Sequence, residues 1–495
     1  MLRRAYERGH RTAASLLGVK IAEVLTELKP HQQRVVDRLS QPDQPGLVAI
    51  HGLGSGKTLE SIAAMDALGV PTTAIVPASL KGNFQKELQK HLDAPPEDLD
   101  VMSLQKATRT PPPEGTGLLI VDEAHRLRDP ASKGLKALRS VPSEKRLLLT
   151  ASPTYNHPSD ISSLVNLAAG KQVLPADKGE FENRYVGQQV VDPGFFNKVF
   201  RGVKPGYRPL LVRRGELKKV LDKWTDYHAN PTDTADFPTR TDEVIKVPMS
   251  KQQRAVYDTI IGTAPAWMRY KIRAGLPPSK SESKDLNAFL TGARQAQLYP
   301  GVFQEQGGDL ENATKQQAAF EHFHEALQNN PDHRAVVYSN YLDAGLSPYR
   351  QLLEQHDIPY AAFTGAMKLS DREQAVRDYN EGKLKALLVS SAGGEGLDLK
   401  GTRQIQILEP HFNSEKLKQV IGRGIRYRSH AELPEDQRNV AVEQYLSSMP
   451  ERGTLGRMVF GKPDLTADQY LYQLSQDKEA LNQQLHAILS QQEHT

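Results

Sequence analysis

Two blocks of this chain alternate short apolar runs with helical patterns, and no other feature of the sequence restricts the fold as tightly. The first block contains "LVAI" (Leu47 to Ile50), "TAIVP" (Thr73 to Pro77), "LLIVDEAH" (Leu118 to His125) and "RLLLTASP" (Arg146 to Pro153). The second contains "AVVYSN" (Ala335 to Asn340), "AAFTG" (Ala361 to Gly365), "ALLVSSAGG" (Ala386 to Gly394) and "QIQILEP" (Gln404 to Pro410). Unbroken apolar runs suit strands covered on both faces, and the helical stretches between them supply the crossovers that parallel pairing needs. The pattern predicts an α/β chain of two lobes, each a parallel sheet flanked by helices.

The stretch between the blocks, about Tyr155 to Pro331, is less regular. Its "NPTDTADFPTRTDE" reads as an interlobe linker. Its "AGLPPSKSESKD" reads as a loop, because Pro, Ser and Lys without apolar periodicity cannot offset the entropy of ordering. The basic segment Trp267 to Lys280 offers Arg269, Lys271 and Arg273 to a polyanion, or else is a solvated insertion.

Composition sets wide bounds. A length of 495 residues suits two or three domains, and a formal charge of +4 permits a polyanionic partner without requiring one. The absence of cysteine excludes disulfides and thiolate metal sites and is compatible with an intracellular protein. No apolar run approaches the roughly 18 residues of a membrane span, so the expectation is a soluble chain. The Arg-rich start, "MLRRAYERGHRTAASLLGVKIAEVL", has the composition of a transit peptide but reads more simply as a helix packing an apolar face.

Three segments carry chemistry. In "HGLGSGKT" (His51 to Thr58), an apolar strand runs into a glycine-rich turn and then a helix. Gly52, Gly54 and Gly56 allow the tight loop whose N–H groups, with that of Ser55, can cradle phosphate. Lys57 can then reach the β and γ phosphates and Thr58 can hold Mg²⁺. His51 stands where the usual pattern has its first glycine. In "VDEAH", Asp122 and Glu123 end an apolar strand, so one carboxylate can serve a metal ion and the other can polarise an attacking water. In "QVIGRGIRYRSH", Arg423 and Arg426 are three residues apart and share a helix face, where they could meet one phosphate; the alternative is an exposed basic helix.

These segments, in this order, resemble the superfamily 2 helicases and translocases, and the likeness covers most of the chain. "LKPHQQ" looks like the adenine-reading motif, "TASP" like the motif that couples hydrolysis to nucleic acid, and "SSAGGEGLDL" like a second-lobe backbone-contacting motif. "AIVPASLKGNFQKEL", "LLVRR" and "FPTRTDEVIKVPMSKQQRAVYDTI" are similar to the Swi/Snf-type branch of DNA translocases. "ILEPHFNSEKLKQVIGRGIRYRSH" and the tail "TADQYLYQLSQDKEALNQQL" resemble ATPases of large DNA viruses and phages, the poxvirus nucleoside triphosphate phosphohydrolase I type among them. Viral members of this kind also carry His at the head of the phosphate loop.

The resemblance implies two RecA-like domains in tandem, with helical insertions and a C-terminal helical tail. It suggests an ATP-binding lobe over residues 1–240, a linker and helical insertion over 241–334, and a second lobe with tail over 335–495. Gln32 would read adenine, with ATP and Mg²⁺ as cofactors. Arg423 and Arg426 would be the fingers from the second lobe on the γ-phosphoryl group, and Gln419 would help link them to the attacking water. DNA would be tracked by Ser79 and Lys81 in the first lobe and by Ser339, Thr364, Ser390 and Ser391 in the second. The expected activity is DNA-stimulated ATP hydrolysis with movement on double-stranded DNA. The alternatives are a strand-separating DNA or RNA helicase and a nucleotide-gated scaffold. Viral or phage transcription or replication proteins are the implied partners.

Overall fold

The computed structural model describes residues 25–495 except 53–54, 94–95, 97, 155–156, 195–196, 199–202, 230–237, 280, 306–307, 365–366, 391–398, 412–420, 423, 426–428, 451–463 and 495. The chain divides into two compact units that interleave along the sequence. The first comprises Met1–Gly187, Leu210–Pro231 and Leu481–Thr495; the second comprises Gln188–Pro209 and Thr232–Ala480.

The first unit is built on β1 (Gly46–His51), β2 (Thr72–Ile75), β3 (Leu99–Met102), β4 (Leu118–Val121) and β5 (Lys145–Thr150). Farther along the chain, β6 (Val186–Val191) and β7 (Gly206–Leu211) pair with each other, and β8 (Thr225–His228) returns to the main sheet. The order is β3-β2-β4-β5-β1-β8, and every pairing is parallel. Alternate residues of the central strands feed opposite cores, as the twofold period of a strand dictates. Val48, Ile50, Val121 and Leu148 pack toward Ile161, Leu164 and Leu221 on one face. Leu47, Ala49, Ile120 and Leu149 pack toward Val35, Leu39, Ile62 and Phe84 on the other.

The second unit repeats the plan with β9 (Thr239–Pro248), β10 (Ala335–Tyr338), β11 (Tyr360–Phe363), β12 (Ala386–Val389), β13 (Gln404–Ile407) and β14 (Asn439–Ser448). Its order is β11-β12-β10-β13-β14-β9, again with only parallel pairs. The chain is thus an α/β protein with two parallel-sheet domains, helical insertions and a C-terminal helix, Ala467–Ser490. All eight apolar runs became strands or strand cores. The apolar runs do not mark β3, β6, β7, β8, β9 or β14, whose residues mix polar and apolar types. β9 begins within the segment read as an interlobe linker, and it pairs with β14 residue for residue from Thr239↔Asn439 to Pro248↔Ser448.

The region read as a loop around "AGLPPSKSESKD" is partly folded. Lys271, on the helix Ala266–Ala274, is fully buried and its Nζ donates to Glu282 Oε2 at 2.7 Å; the same oxygen accepts the Ser279 N–H. A buried ammonium requires such a partner, so the polar residues that argued for solvent instead close around the charge. Lys271 is therefore withdrawn from any polyanion. Arg269 donates to the Gly262 carbonyl, and Arg273 lies 3.8 Å from Asp464. Among the described residues, no helix is long and apolar enough to cross a membrane.

Candidate functional site

The carboxyl ends of β1 and β4 converge in the first unit, with β5 between them in the sheet. Ligands of open parallel sheets bind at this edge. β1 ends at His51, and the loop that follows enters the helix Lys57–Leu68 through Gly56 at φ +84°. That left-handed conformation suits glycine, and a Cβ there would also collide with the Gln32 side-chain amide. Lys57 and Thr58 lie half-buried on the first helical turn. Lys57 Nζ donates to the carbonyls of His51 and Gly52 at 3.0 and 2.9 Å. Burial lowers its pKa, while the charges of Glu123, Glu60 and Asp122 oppose the shift and place these acids around it.

Asp122 and Glu123 leave the end of β4 side by side. Burial, reinforced by the Glu123 charge, pushes the Asp122 carboxyl up to about 6. Glu123 behaves in the opposite way: burial works against ionisation, but the neighbouring His125, Lys57 and Arg126 outweigh it and its pKa is lowered. His125 Nδ1 lies 3.2 Å from Glu123 Oε2. Glu123 has φ +52°, an uncommon conformation for a residue with a side chain and one that concentrates at functional sites. A small cleft lined by Val76, Pro77, Gln105, Asp122, Glu123 and Arg126 opens beside the pair.

The helix Pro30–Leu39 braces the loop from behind. Gln32 is buried; its Nε2 donates to the Ser55 and Gly56 carbonyls at 3.0 and 3.4 Å, and its Oε1 accepts the Lys29 N–H. The expected adenine reader is therefore engaged with the phosphate loop itself. Ser55 Oγ is buried without a protein partner. With the glycine-permitted turn and the exposed start of a helix, this leftover hydroxyl fits a phosphate group. Asp122 and Thr58 are the residues that would hold its divalent cation.

Of the other expected residues, Lys81 opens the helix Lys81–His91 and Ser79 lies in the short turn Ala78–Leu80. In the second unit Ser339 is buried and donates to Glu409 Oε2 at 2.8 Å, while Ser390 is buried and donates to the Phe363 carbonyl at 3.2 Å. Thr364 follows β11 half-buried. Gly54, Ser391, Gln419, Arg423 and Arg426 lie outside the described residues.

Sequence reasoning missed the charges beneath the loop. His51 is fully buried between two carboxylates, with Nδ1 2.5 Å from Glu60 Oε1 and Nε2 2.9 Å from Asp226 Oδ1. Burial would favour the neutral ring, but its bonds to Asp226 and Glu60 outweigh that and raise its pKa. Arg34 grips Asp226 with Nε and Nη2, both at 2.8 Å. Asp226 is 175 residues from His51, and nothing near either residue announces the other. Glu60 carries a weaker signal, as an acid two residues past the "GKT" on a helix with an apolar face.

Two family models match the chain: an SNF2-related domain over residues 115–302 and a helicase conserved C-terminal domain over 318–428. A protein of Acanthamoeba polyphaga mimivirus named as an ATP-dependent RNA helicase is 28% identical over 474 residues, covering 91% of this chain and 94% of the relative. A termination factor NPH-I homolog of African swine fever virus is 24% identical, covering 90% of this chain and 75% of the relative. The solved SWI2/SNF2 ATPase core of Sulfolobus solfataricus in complex with dsDNA is 18% identical with a TM-score of 0.37, covering 95% of this chain and 98% of that one. The fold described above rests on the chain's own two sheets.

Proposed function

We propose, from the premise that the chain belongs to the SNF2-related ATPases of the helicase type, that it is a motor on double-stranded DNA. The chain is a nucleic-acid-dependent ATPase by its two domains; our reading is that duplex DNA stimulates it and that it tracks one strand without separating the two. The observation that carries the reading is the turn after β1, with Gly56 at φ +84° and Lys57 opening the next helix, at the same carboxyl edge of the first sheet as Asp122 and Glu123.

In this reading Lys57 and the N–H groups of Gly54 and Gly56 bind the phosphates; the Gly52 N–H stays with the His228 carbonyl and the Ser55 N–H with the Gly52 carbonyl. Thr58 and Asp122 would hold Mg²⁺, whose charge would offset that of the phosphates. Glu123, kept ionised and oriented by His125, takes the proton of the attacking water. Gln32 acts on the nucleotide through the loop that it braces. Arg423 and Arg426 are assigned to charge stabilisation on the transferred group, and Gln419 to linking them to the attacking water. Ser79, Lys81, Thr364 and Ser391 remain candidate phosphate contacts to DNA. Ser339 and Ser390 would first have to leave the protein acceptors they now hold. Contacts of this kind are independent of base sequence and sensitive to salt. Need for ATP sets the work inside a cell, with viral or phage transcription or replication proteins as the class of partner.

The test is ATPase stimulation by duplex DNA, single-stranded DNA and RNA, with strand displacement measured alongside. Strongest stimulation by duplex DNA without displacement is expected. Lys57→Ala should abolish turnover and leave DNA binding intact. The name of the mimivirus relative favours a second reading, an RNA helicase. Stimulation by RNA alone would replace the first reading with it.

A further inference from the structure

We propose that His51 is a positioning residue of the nucleotide site, a cationic bridge between Glu60 and Asp226 that fixes the first turn of the phosphate loop. The proposal rests on the nucleotide-site reading above and goes on to assign the residue at the position where the usual loop has glycine.

The proton count follows from the geometry once both carboxylates are ionised. Both ring nitrogens of His51 lie within hydrogen-bond distance of a carboxylate, and ionised carboxylates only accept. Each nitrogen must therefore donate, and a ring that donates twice is an imidazolium. The surroundings balance it. The helix Lys57–Leu68 contributes Glu60 and Lys57. β8 contributes Asp226 and His228, with the His228 ring 5.7 Å from that of His51. The helix Pro30–Leu39 contributes His31, 5.4 Å away ring to ring, together with Arg34 and Arg38, which both bind Asp226. The raised pKa of His51 agrees with this arrangement.

The bridge acts on the loop backbone. His51 is the last residue of β1, and its own carbonyl accepts Lys57 Nζ. The next N–H, that of Gly52, donates to the His228 carbonyl, and the Gly52 carbonyl takes Lys57 as well. His31 stacks on His228 with ring centroids 3.9 Å apart and reaches the Ser55 carbonyl at 2.9 Å. Groups from the two helices thus hold the carbonyls of residues 51, 52 and 55, β8 holds the Gly52 N–H, and the His51 ring joins the Lys57–Leu68 helix to β8 at their centre. A loop held this way meets phosphate without first paying to be ordered.

The donor atoms of His31, His51 and Glu60 all lie within 4.8 Å of one another, which is also how a divalent metal site begins. The 2.5 Å separation between His51 Nδ1 and Glu60 Oε1 is that of a direct hydrogen bond. Two ligands of one tetrahedral ion, each about 2.0–2.1 Å from it, would stand about 3.3 Å apart.

The experiment measures KM for ATP and kcat from pH 6 to 10 for the full chain and for His51→Gln, Asp226→Asn, the double variant and Lys57→Ala. His51→Gln should raise KM roughly tenfold, the worth of one charge-assisted bond, with kcat changed less than about twofold. Asp226→Asn should do the same, and the double variant should be no worse than the poorer single, because the two residues act as one unit. The wild-type KM should climb at alkaline pH as the imidazolium loses its proton, and that climb should vanish in His51→Gln. If His51→Gln does not fold, Asp226→Asn and the wild-type pH profile carry the test. Unchanged KM in folded variants, additive singles, or an alkaline climb that survives in His51→Gln would each overturn the proposal. So would a stoichiometric metal found by elemental analysis and lost in His51→Gln. Turnover that depends on Lys57 while KM ignores His51 sinks the proposal alone; no Lys57-dependent turnover sinks the nucleotide reading with it.

Discussion

The two units both bury charge, for different ends. Beneath the phosphate loop of the first unit, His51, Glu60 and Asp226 are almost fully enclosed and meet Arg34 and Arg38 at the edge. In the second unit Lys315 and Asp468, both fully buried, form a pair at 2.5 Å, and Asp468 Oδ2 also accepts the Ser447 N–H. Lys271 and Glu282 make a similar pair. Desolvation costs are comparable in both places. What differs is what the charges touch. The pairs of the second unit meet helices and strand ends of their own scaffold, whereas the network of the first reaches the loop that would hold phosphate. Buried charge alone therefore does not mark a site. Buried charge bonded to the backbone of a ligand-binding loop does.

That contrast can be broken experimentally. The largest effect is expected from Asp468→Asn, which strands the Lys315 ammonium in a dry interior and should cost about 3–5 kcal/mol of stability in urea unfolding. KM for ATP of the folded protein should not move, and a shift in KM would erase the distinction between the two regions. Next comes Gly56→Ala. The left-handed backbone there penalises a side chain by about 1–2 kcal/mol, and the new Cβ meets the Gln32 amide, so ATP affinity should fall by more than stability does. Isothermal titration against unfolding data separates the two quantities, and equal losses would show the loop to be ordinary scaffold.

The smallest effect concerns pH. His51 has a folded-state pKa raised above its unfolded value, so its contribution to stability is full below about 6.5 and is lost as pH rises through the folded pKa. Asp226, held low by His51 and Arg34 against the effect of burial, works in the other sense: its contribution is present above about 3.9 and lost as pH falls through its folded value. The stability difference between wild type and His51→Gln should accordingly shrink from pH 6 toward pH 9. A difference that grows with pH would remove the imidazolium and with it the contrast.

Much of this was legible because it was local. The runs "LVAI", "LLIV", "AVVY" and "ALLV" carry no polar residue that could face water, so each had to be a strand covered on both faces, and each is. The loop from His51 to Thr58 and the acids Asp122 and Glu123 were found because strand, turn and helix lie within one short stretch. Illegible features depended on distance. β8 reads only as "TDYH", and β9 as a charged segment whose outward residues hide its pairing with β14. Lys271 looked like a residue for solvent or DNA until Glu282 was seen to close over it.

His51 shows where the division falls. The sequence by itself determined that a phosphate loop follows an apolar strand, because glycines and a lysine at those spacings act through their own backbone and nearest neighbours. It also placed a histidine at the head of that loop without a reason for it. Only the tertiary structure supplied the reason, by bringing Asp226 on β8 and Glu60 on the following helix to the two ring nitrogens. Hydrogen bonds and charges act through space over a few ångströms, and the sequence does not record which distant residues folding will bring within that range.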